Sequence, residues 1–362
     1  MGSFATVNTD MRLCIFVGLP EDLVVLILKR LPIKSLIRFT CVSKRWRLMI
    51  LSDPNFAKSQ FQIASEQQTL SRRAIHESDC ESLDFEKPMD FRKVRCPFKQ
   101  PGLHVRILCS CNGLVFAASS NSDMYIWNPS TGFFKKLPDP GALPSAILWF
   151  YGFGYVSTID DYKVIISFDV SGKKIAKAMV FSSRAKSWKT IEVPYHPVFY
   201  LGNLFNEALH WRIYLHGDIV AFDLAKEQFR TMSLPASLNY HHGGVHISSL
   251  GSVGGCLCVI IQKNANDSCI DLWVMREYEV ADSWTKLYNL KFSDQREWIA
   301  DLRPVLATET STFLEKWSHS YRGCKCELIR IGLKEEKIET YMVRKEPFYV
   351  IAYEESLLWL ND

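Results

Sequence analysis

A hairpin pattern that returns at nearly even spacing constrains this chain more than any other feature. An apolar strand is followed by a polar turn of four to seven residues, then by an aromatic or apolar anchor with basic and apolar neighbours. It runs from Ile126-Trp127-Asn128-Pro129-Ser130-Thr131 to Phe134-Lys135-Lys136-Leu137, and from Val180-Phe181 through Trp188 to Pro194. It returns from Ala221-Phe222-Asp223 to Phe229-Arg230, and from Trp273-Val274-Met275 to Trp284-Thr285-Lys286; a weaker copy spans Leu328 to Ile338-Glu339. The anchors Phe134, Trp188, Phe229, Trp284 and Ile338 are separated by 54, 41, 55 and 54 residues. One such sheet cannot bury both of its faces, but a ring of stacked sheets can, and it leaves only short edges. Repeats of this length built from hairpins predict a β-propeller. Roughly 300 residues at about 50 per blade give about six blades, with each anchor packed between neighbouring sheets. A plain β-sandwich would not require the even spacing.

The first 54 residues read differently. Leu19-Pro20-Glu21-Asp22-Leu23 opens a helix in which Leu23, Ile27 and Leu31 share one face, widened by Val24 and Leu28, with Lys29 and Arg30 opposite. Pro20 suits the first turn, and Glu21 and Asp22 suit the positive end of the helix dipole. Pro32 stops that helix and opens a second with Leu36, Phe39 and Val42. Ser43 is positioned to cap a third, carrying Trp46, Leu48 and Ile50 until Asp53-Pro54 ends it. Helical periodicity is expected to stop there, and Ser65-Glu66-Gln67-Gln68-Thr69 reads as a loop. Three such short helices have too little core to stand alone, so their apolar surface should be shared with a partner.

Charge follows the same division. Residues 1–60 hold nine Lys/Arg against four Asp/Glu, leaving 34 against 35 for the rest of a chain whose net charge is +4. The near-neutral body lacks the basic stripe of a nucleic-acid surface, whereas the basic helical segment suits an acidic protein partner. Apolar runs such as Val253–Ile261 are far short of a membrane span, and the short apolar leader has no cleavage-site pattern. Eleven cysteines include three C-x-C pairs, Cys109/Cys111, Cys256/Cys258 and Cys324/Cys326. Spacing of two puts both thiols on one strand face, which is not zinc-knuckle spacing. They read as reduced, buried small hydrophobes, and that points to cytoplasm or nucleus.

The catalytic and metal patterns are weak. His242 and His246 have i,i+4 spacing, but Gly243-Gly244 between them disfavours a helix, and no carboxylate accompanies them. Gly152-Phe153-Gly154 lacks the third glycine of a dinucleotide loop, and Gly251-Ser252-Val253-Gly254 falls short of a nucleophile elbow. Asp160-Asp161 reads as a turn, since adjacent strand residues point apart. Asn112-Gly113 reads as a two-residue type I′ turn. No metal, cofactor or catalytic group is expected.

Residues 19–54 resemble the F-box, the module that docks a protein on the Skp-type adaptor of a cullin-RING ubiquitin ligase. Leu19-Pro20, Asp22-Leu23, Arg30-Leu31-Pro32, Lys34-Ser35-Leu36 and Cys41-Val42-Ser43-Lys44 with Trp46 carry the resemblance. The later region resembles the F-box-associated, kelch-like propeller of a plant family, through Cys111-Asn112-Gly113-Leu114, Trp127-Asn128-Pro129-Ser130-Thr131, Gly152-Phe153-Gly154-Tyr155, Ala208-Leu209-His210-Trp211 and Asp282-Ser283-Trp284. Together these imply an α+β multidomain chain: a leader (1–18), a three-helix F-box (19–60), a linker with an ill-defined first blade (61–100) and an all-β propeller (101–362).

The resemblance further implies a non-catalytic substrate-recognition subunit of a Skp–cullin–F-box ligase, partnered by the adaptor and, through it, by cullin and RING subunits. A protein target would be its substrate, with no nucleic acid or membrane partner. Leu19, Pro20, Leu23, Ile27, Leu31, Pro32, Leu36, Val42 and Trp46 would form the helical unit and its adaptor face, with Trp46 the most structural and Leu19-Pro20 the most direct. Trp149, Phe150, Tyr151, Tyr195, Phe199 and Tyr200 are candidate target contacts, because aromatics dominate interface hot spots. Two other readings remain open: a propeller enzyme under a helical cap, and an F-box scaffold acting outside ubiquitination.

Overall fold

The computed structural model describes residues 19–360 apart from 77–79, 86–90, 142–147, 169–175, 195–200, 213–218, 235–245, 263–268, 293–297, 309, 321–322, 333–337 and 345–349. It begins with four helices, α1 (Glu21–Leu28), α2 (Ile33–Phe39), α3 (Lys44–Ser52) and α4 (Pro54–Glu66). Pro20 and Pro32 sit one residue before their helices, where their carbonyls accept the first helical bonds, as from Leu23 at 3.0 Å and Ser35 at 2.9 Å. Ser43 caps α3 as expected, its hydroxyl accepting from the Trp46 amide at 3.1 Å.

The expectation of three helices is corrected by α4. Asp53-Pro54 ends α3, but the same pair also starts a helix: the Asp53 carboxylate accepts from Asn55 and Phe56, with Pro54 at the first position. Phe56, Ala57, Gln60 and Ala64 form its buried stripe. Ser65 and Glu66, expected in a loop, are therefore helical, and the chain leaves the helix at Gln67.

The remainder folds into six four-stranded antiparallel sheets. Blade 1 contains β1 (Arg72–His76), β2 (Glu81–Asp84) and β3 (Phe91–Lys93). Blade 2 contains β4 (Val105–Cys111), β5 (Leu114–Ser119), β6 (Met124–Trp127) and β7 (Phe134–Lys136). Blade 3 contains β8 (Leu148–Val156), β9 (Asp161–Phe168), β10 (Ala176–Ser182) and β11 (Ser187–Val193). Blade 4 contains β12 (Asn203–Phe205), β13 (Ala208–Arg212), β14 (Ile219–Asp223) and β15 (Gln228–Met232). Blade 5 contains β16 (His246–Val253), β17 (Cys256–Gln262), β18 (Cys269–Met275) and β19 (Trp284–Lys291), and blade 6 contains β20 (Trp298–Ala307), β21 (Ser311–Ser320), β22 (Gly323–Gly332) and β23 (Ile338–Arg344). The innermost strand of blade 1 is β24 (Val350–Glu354), which pairs with β1 from Arg72↔Glu354 to His76↔Val350. The two ends of the ring are thus joined inside one sheet.

Stacking explains the strand patterns. Middle strands such as β6, β13 and β14 are buried almost throughout, since both faces meet a neighbouring blade, whereas the outer strands β7, β11 and β15 are largely exposed. The repeated anchors all open the outer strand of a blade, paired across the turn as Trp127↔Phe134, Phe181↔Trp188, Phe222↔Phe229, Met275↔Trp284 and Ile331↔Ile338. Leu83↔Phe91 is the matching pair in blade 1. Two anchors tie their blade to the connection leaving the previous one: the Trp188 indole donates to the Pro138 carbonyl at 2.8 Å, and the Trp284 indole to that of Ser233 at 3.3 Å.

Asn112 and Gly113 both have positive φ, 52° and 78°, as a type I′ turn requires. The C-terminal segment lies so close that a Cβ on Gly113 would sit 2.3 Å from the Ser356 hydroxyl. Gly152 and Gly154 are spacers in β8: a Cβ there would come within 2.6 Å of Leu209 and 2.4 Å of Leu224 in blade 4.

Candidate functional site

Strand alternation gives the propeller two unlike faces. One face carries the turns joining first to second and third to fourth strands, including Asn112-Gly113, Asn128–Phe133 and Ser157–Asp160. The helices cover that face. Lys58 of α4 pairs with Asp160, and a 360 Å³ groove between α3 and blade 2 is lined by Leu51, Leu114, Phe133 and Trp359. Val24, Leu28, Leu36, Ile50 and Phe56 share one continuous apolar core with Leu114, Phe116 and Ile126 of blade 2, Phe153 of blade 3, and Leu357 and Leu358 of the C-terminal segment. The opposite face carries the second-to-third turns and the connections between blades, and no described helix lies there.

Helix α1 carries two apolar stripes. Val24 and Leu28 are buried, while Leu23 and Ile27, one position earlier at the same i,i+4 spacing, are 46% and 40% exposed. Leu19, Leu26, Val42 and Leu48 are also exposed, so most of the exposed large apolar side chains among the described residues lie on this small unit. Such clustering marks an interaction surface rather than ordinary scatter.

The expected adaptor residues therefore divide. Leu19, Pro20, Leu23, Ile27, Pro32 and Val42 are exposed, Leu31 and Trp46 are half-buried, and Leu36 is fully buried. Leu36 belongs to the internal core and is not available as a contact. Trp46 meets Phe39 edge-on at a ring separation of 5.7 Å, locking α2 to α3. Arg45 of α3 pairs with Glu21 of α1. Sequence reasoning passed over Leu26 and placed Leu48 in the third helix's apolar set; a single-stripe reading has no means of marking a second, outward stripe.

Of the six expected target contacts, Phe150 and Tyr151 are buried, which corrects the expectation for these two. Phe150 lies edge-on against Trp211, with ring centroids 5.3 Å apart. Phe150 fills the seam between blades 3 and 4, whereas Tyr151, the next residue along β8, packs in the core shared with blade 2. Trp149 lies on β8 with its side chain outside the described residues, and Tyr195, Phe199 and Tyr200 lie outside them altogether, as do His241 and His242.

Inner strands of the six blades surround a central cavity of 340 Å³, lined by Ser110, Phe153, Gly202, Ser252, Arg303 and Glu354 among others. Arg303 pairs with Glu315 and donates to the Val350 carbonyl at 3.1 Å. Burial pushes the nearby Asp301 carboxyl up to about 6, opposed by Arg303. Among the described residues no group of three or more His, Cys, Asp or Glu converges as a metal site. Asp160 and Asp161 point apart as expected: Asp160 accepts from Tyr155 at 2.7 Å, while buried Asp161 accepts from Ser182, Ser183 and the Arg184 amide.

The F-box associated beta propeller domain family matches residues 60–354, and the F-box domain family matches 16–58. The chain is an F-box protein with an F-box-associated propeller. It is 31% identical to the F-box protein CPR1 of Arabidopsis thaliana, over 91% of this chain and 85% of that one. An F-box/kelch-repeat protein of the same plant is 26% identical over 75% of this chain and 79% of its own. A chain titled as part of a nidogen/laminin complex aligns with a TM-score of 0.46 at 9% identity, over 79% of this chain and 99% of its own, too distant to bear on function. An F-box implies a Skp-type adaptor as partner, and the attached propeller implies a substrate-binding module, the general arrangement of an SCF substrate-recognition subunit.

Proposed function

We propose that this F-box protein is a non-catalytic receptor that recruits one protein target to a Skp–cullin–F-box ubiquitin ligase for ubiquitination and degradation. Leu19, Pro20, Leu23, Ile27 and Val42 dock on the adaptor, while the propeller face opposite the helices holds the target. Cullin and RING subunits, reached through the adaptor, supply the ubiquitin-loaded enzyme. The receptor acts by proximity, raising the local concentration of target lysines at the transfer site.

The observation that carries this reading is the outward stripe of Leu23 and Ile27 on a helix whose other apolar stripe, Val24 and Leu28, is already packed in the core shared with the propeller. Burying each of these side chains contributes about 1.5–3 kcal/mol. Replacing both with Glu should abolish capture by a purified Skp-type adaptor and leave the melting temperature unchanged, because neither side chain is internal. Equal capture of wild type and Leu23→Glu/Ile27→Glu would overturn the docking assignment. Cullin in complexes isolated with the wild-type chain separates ligase assembly from scaffolding; adaptor without cullin would favour the scaffold.

A further inference from the structure

The six thiols of the C-x-C pairs that stand out in the sequence divide, and against expectation Cys256 is half-buried and Cys324 exposed. Cys109, Cys111 and Cys258 are buried, and burial pushes all three thiols well up. A different pair, 16 residues apart in sequence, meets at the outer hairpin of blade 1. The β2–β3 ladder pairs Glu81 with Lys93, and one step beyond it the Val94 amide donates to the Cys80 carbonyl at 2.8 Å. The two chain segments thus still run side by side where Cys80 and Cys96 enter and leave the hairpin.

Cys80, at φ 53°, is buried with Phe98, Tyr125 and Trp127. Cys96 packs on the same cluster but remains half-exposed. Around the Cys96 sulfur stand the Cys80 thiol, the Phe98 and Lys99 backbone and the Lys99 ammonium. The Lys99 amide reaches the Cys96 carbonyl at 3.4 Å, closing the turn. Led by the Cys80 hydrogen bond and opposed by burial, this setting brings the Cys96 thiol down to about 7. The geometry is that of an accessible thiolate backed by a sheltered second thiol.

We propose that Cys80 and Cys96 are a modification site, a dithiol that hydrogen peroxide closes into an intrachain disulfide on the propeller face opposite the helices. The Cys96 thiolate attacks one peroxide oxygen; the O–O bond breaks, and the departing hydroxide takes a proton to leave as water. Cys80 sulfur then attacks the Cys96 sulfenic acid and expels hydroxide, which leaves as a second water with the Cys80 proton. Two thiols lose two electrons and the peroxide is reduced to two waters. The new bond staples the start of β2 to the connection from blade 1 to blade 2, beside the surface assigned above to the target.

The test is peptide mapping of the reduced full-length chain treated with one equivalent of hydrogen peroxide, together with iodoacetamide labelling of Cys96 against pH. At pH 7 a thiol of pKa about 7 is roughly half ionised, against about 3% for an ordinary thiol near 8.5. Its weaker intrinsic nucleophilicity returns part of that gain, leaving about a threefold faster reaction. Cys96 should therefore label about threefold faster than exposed Cys41, with a midpoint near pH 7. Peroxide should yield a Cys80–Cys96 linked peptide, remove two alkylatable thiols per chain and be reversed by dithiothreitol. Cys80→Ser should abolish the linked peptide but preserve Cys96 labelling; should that variant not fold, the wild-type mapping decides alone. Labelling of Cys96 no faster than Cys41, or peroxide oxidation that leaves Cys80 and Cys96 unlinked, would overturn the proposal.

Discussion

Asn128 offers a sharp test of how the ring is closed. It lies in the Trp127-Asn128-Pro129-Ser130-Thr131 string, is fully buried, and spends both ends of its amide. Its Nδ2 donates to the Leu358 carbonyl at 2.8 Å and to the Ser356 carbonyl and hydroxyl at 3.0 and 3.2 Å. Its Oδ1 accepts from the Ser130 and Thr131 amides at 2.7 and 3.3 Å. One side chain therefore holds the turn between β6 and β7 and fastens the segment that follows β24 on to blade 2. Asn128→Ala removes two N–H donors and one doubly used acceptor. At a net value of about 1 kcal/mol for each of these three groups, with the tail carbonyls left in a buried site, the loss is about 3 kcal/mol. For a domain of this size that corresponds to a melting point lower by about 5 °C. Asn128→Asp keeps the acceptor for Ser130 and Thr131 but turns a carboxylate toward two carbonyls, so it should be at least as damaging. The assay is a thermal scan of both variants at one fixed rate, checked by urea unfolding. A shift below about 1 °C for Asn128→Ala, or an Asp variant as stable as wild type, would refute the role given to the tail.

Three further outcomes follow from the same packing. Gly154→Ala, whose Cβ would meet Leu224 at 2.4 Å and Leu204 at 2.7 Å, should destabilise by about 1–3 kcal/mol, measured by urea midpoint; an unchanged midpoint would mean that blade 4 yields freely. His210 is buried and held between the Asn203 carbonyl and the Tyr278 hydroxyl, and burial lowers its pKa to about 4. The unfolded chain, with its histidine near 6.5, binds the extra proton first, so this group's stabilisation is present above pH 6.5 and is lost as pH falls toward 4, by about 3 kcal/mol in all; the wild-type minus His210→Gln difference, followed from pH 7 to 4, should shrink across that window. Leu357→Ala, at a fully buried site shared by helices and blades, should cost about 2–5 kcal/mol and combine less than additively with Asn128→Ala, since both release the same segment; strict additivity in a double-mutant cycle would separate the two.

The blade repeat was legible because its anchors hold one structural position, the start of each outer strand, where the turn chemistry and the seam with the preceding connection recur together. Blade 1 was harder to read. Its anchor Phe91 lies beyond a short strand, and its inner strand comes from residues 350–354, a pairing between chain ends that no local pattern announces. Helix α4 was missed because Asp53-Pro54 is equally good as a stop and as a start, and its stripe is made of Ala57, Gln60 and Ala64 with one phenylalanine. At the proposed docking surface, composition identified the apolar residues but not their direction: Leu36 and Ile27 look alike in sequence, yet one is buried and the other exposed. Phe150 and Tyr151 had the composition of a hot spot and the location of an inner strand, and location decided. The Cys80–Cys96 pair carries no spacing signal at all, because hairpin geometry alone joins the two thiols.

The shared core gives the two parts of the molecule a mechanical relation that the sequence could not supply. Under the proposed function, a helical unit joined by a loose tether would let a target wander over a volume set by tether length, diluting its lysines at the transfer site. Here α4 passes into β1 within a few residues, Gln60 donates to the Leu31 carbonyl at 3.3 Å, and Leu357 and Leu358 fill the space between helices and blades. With Val24 and Leu28 turned into that core, Leu23 and Ile27 are held outward by the same packing. The direction of this outward stripe relative to the far propeller face is therefore fixed by buried side chains. Loosening the tail at Asn128 or Leu357 acts on that direction as well as on stability.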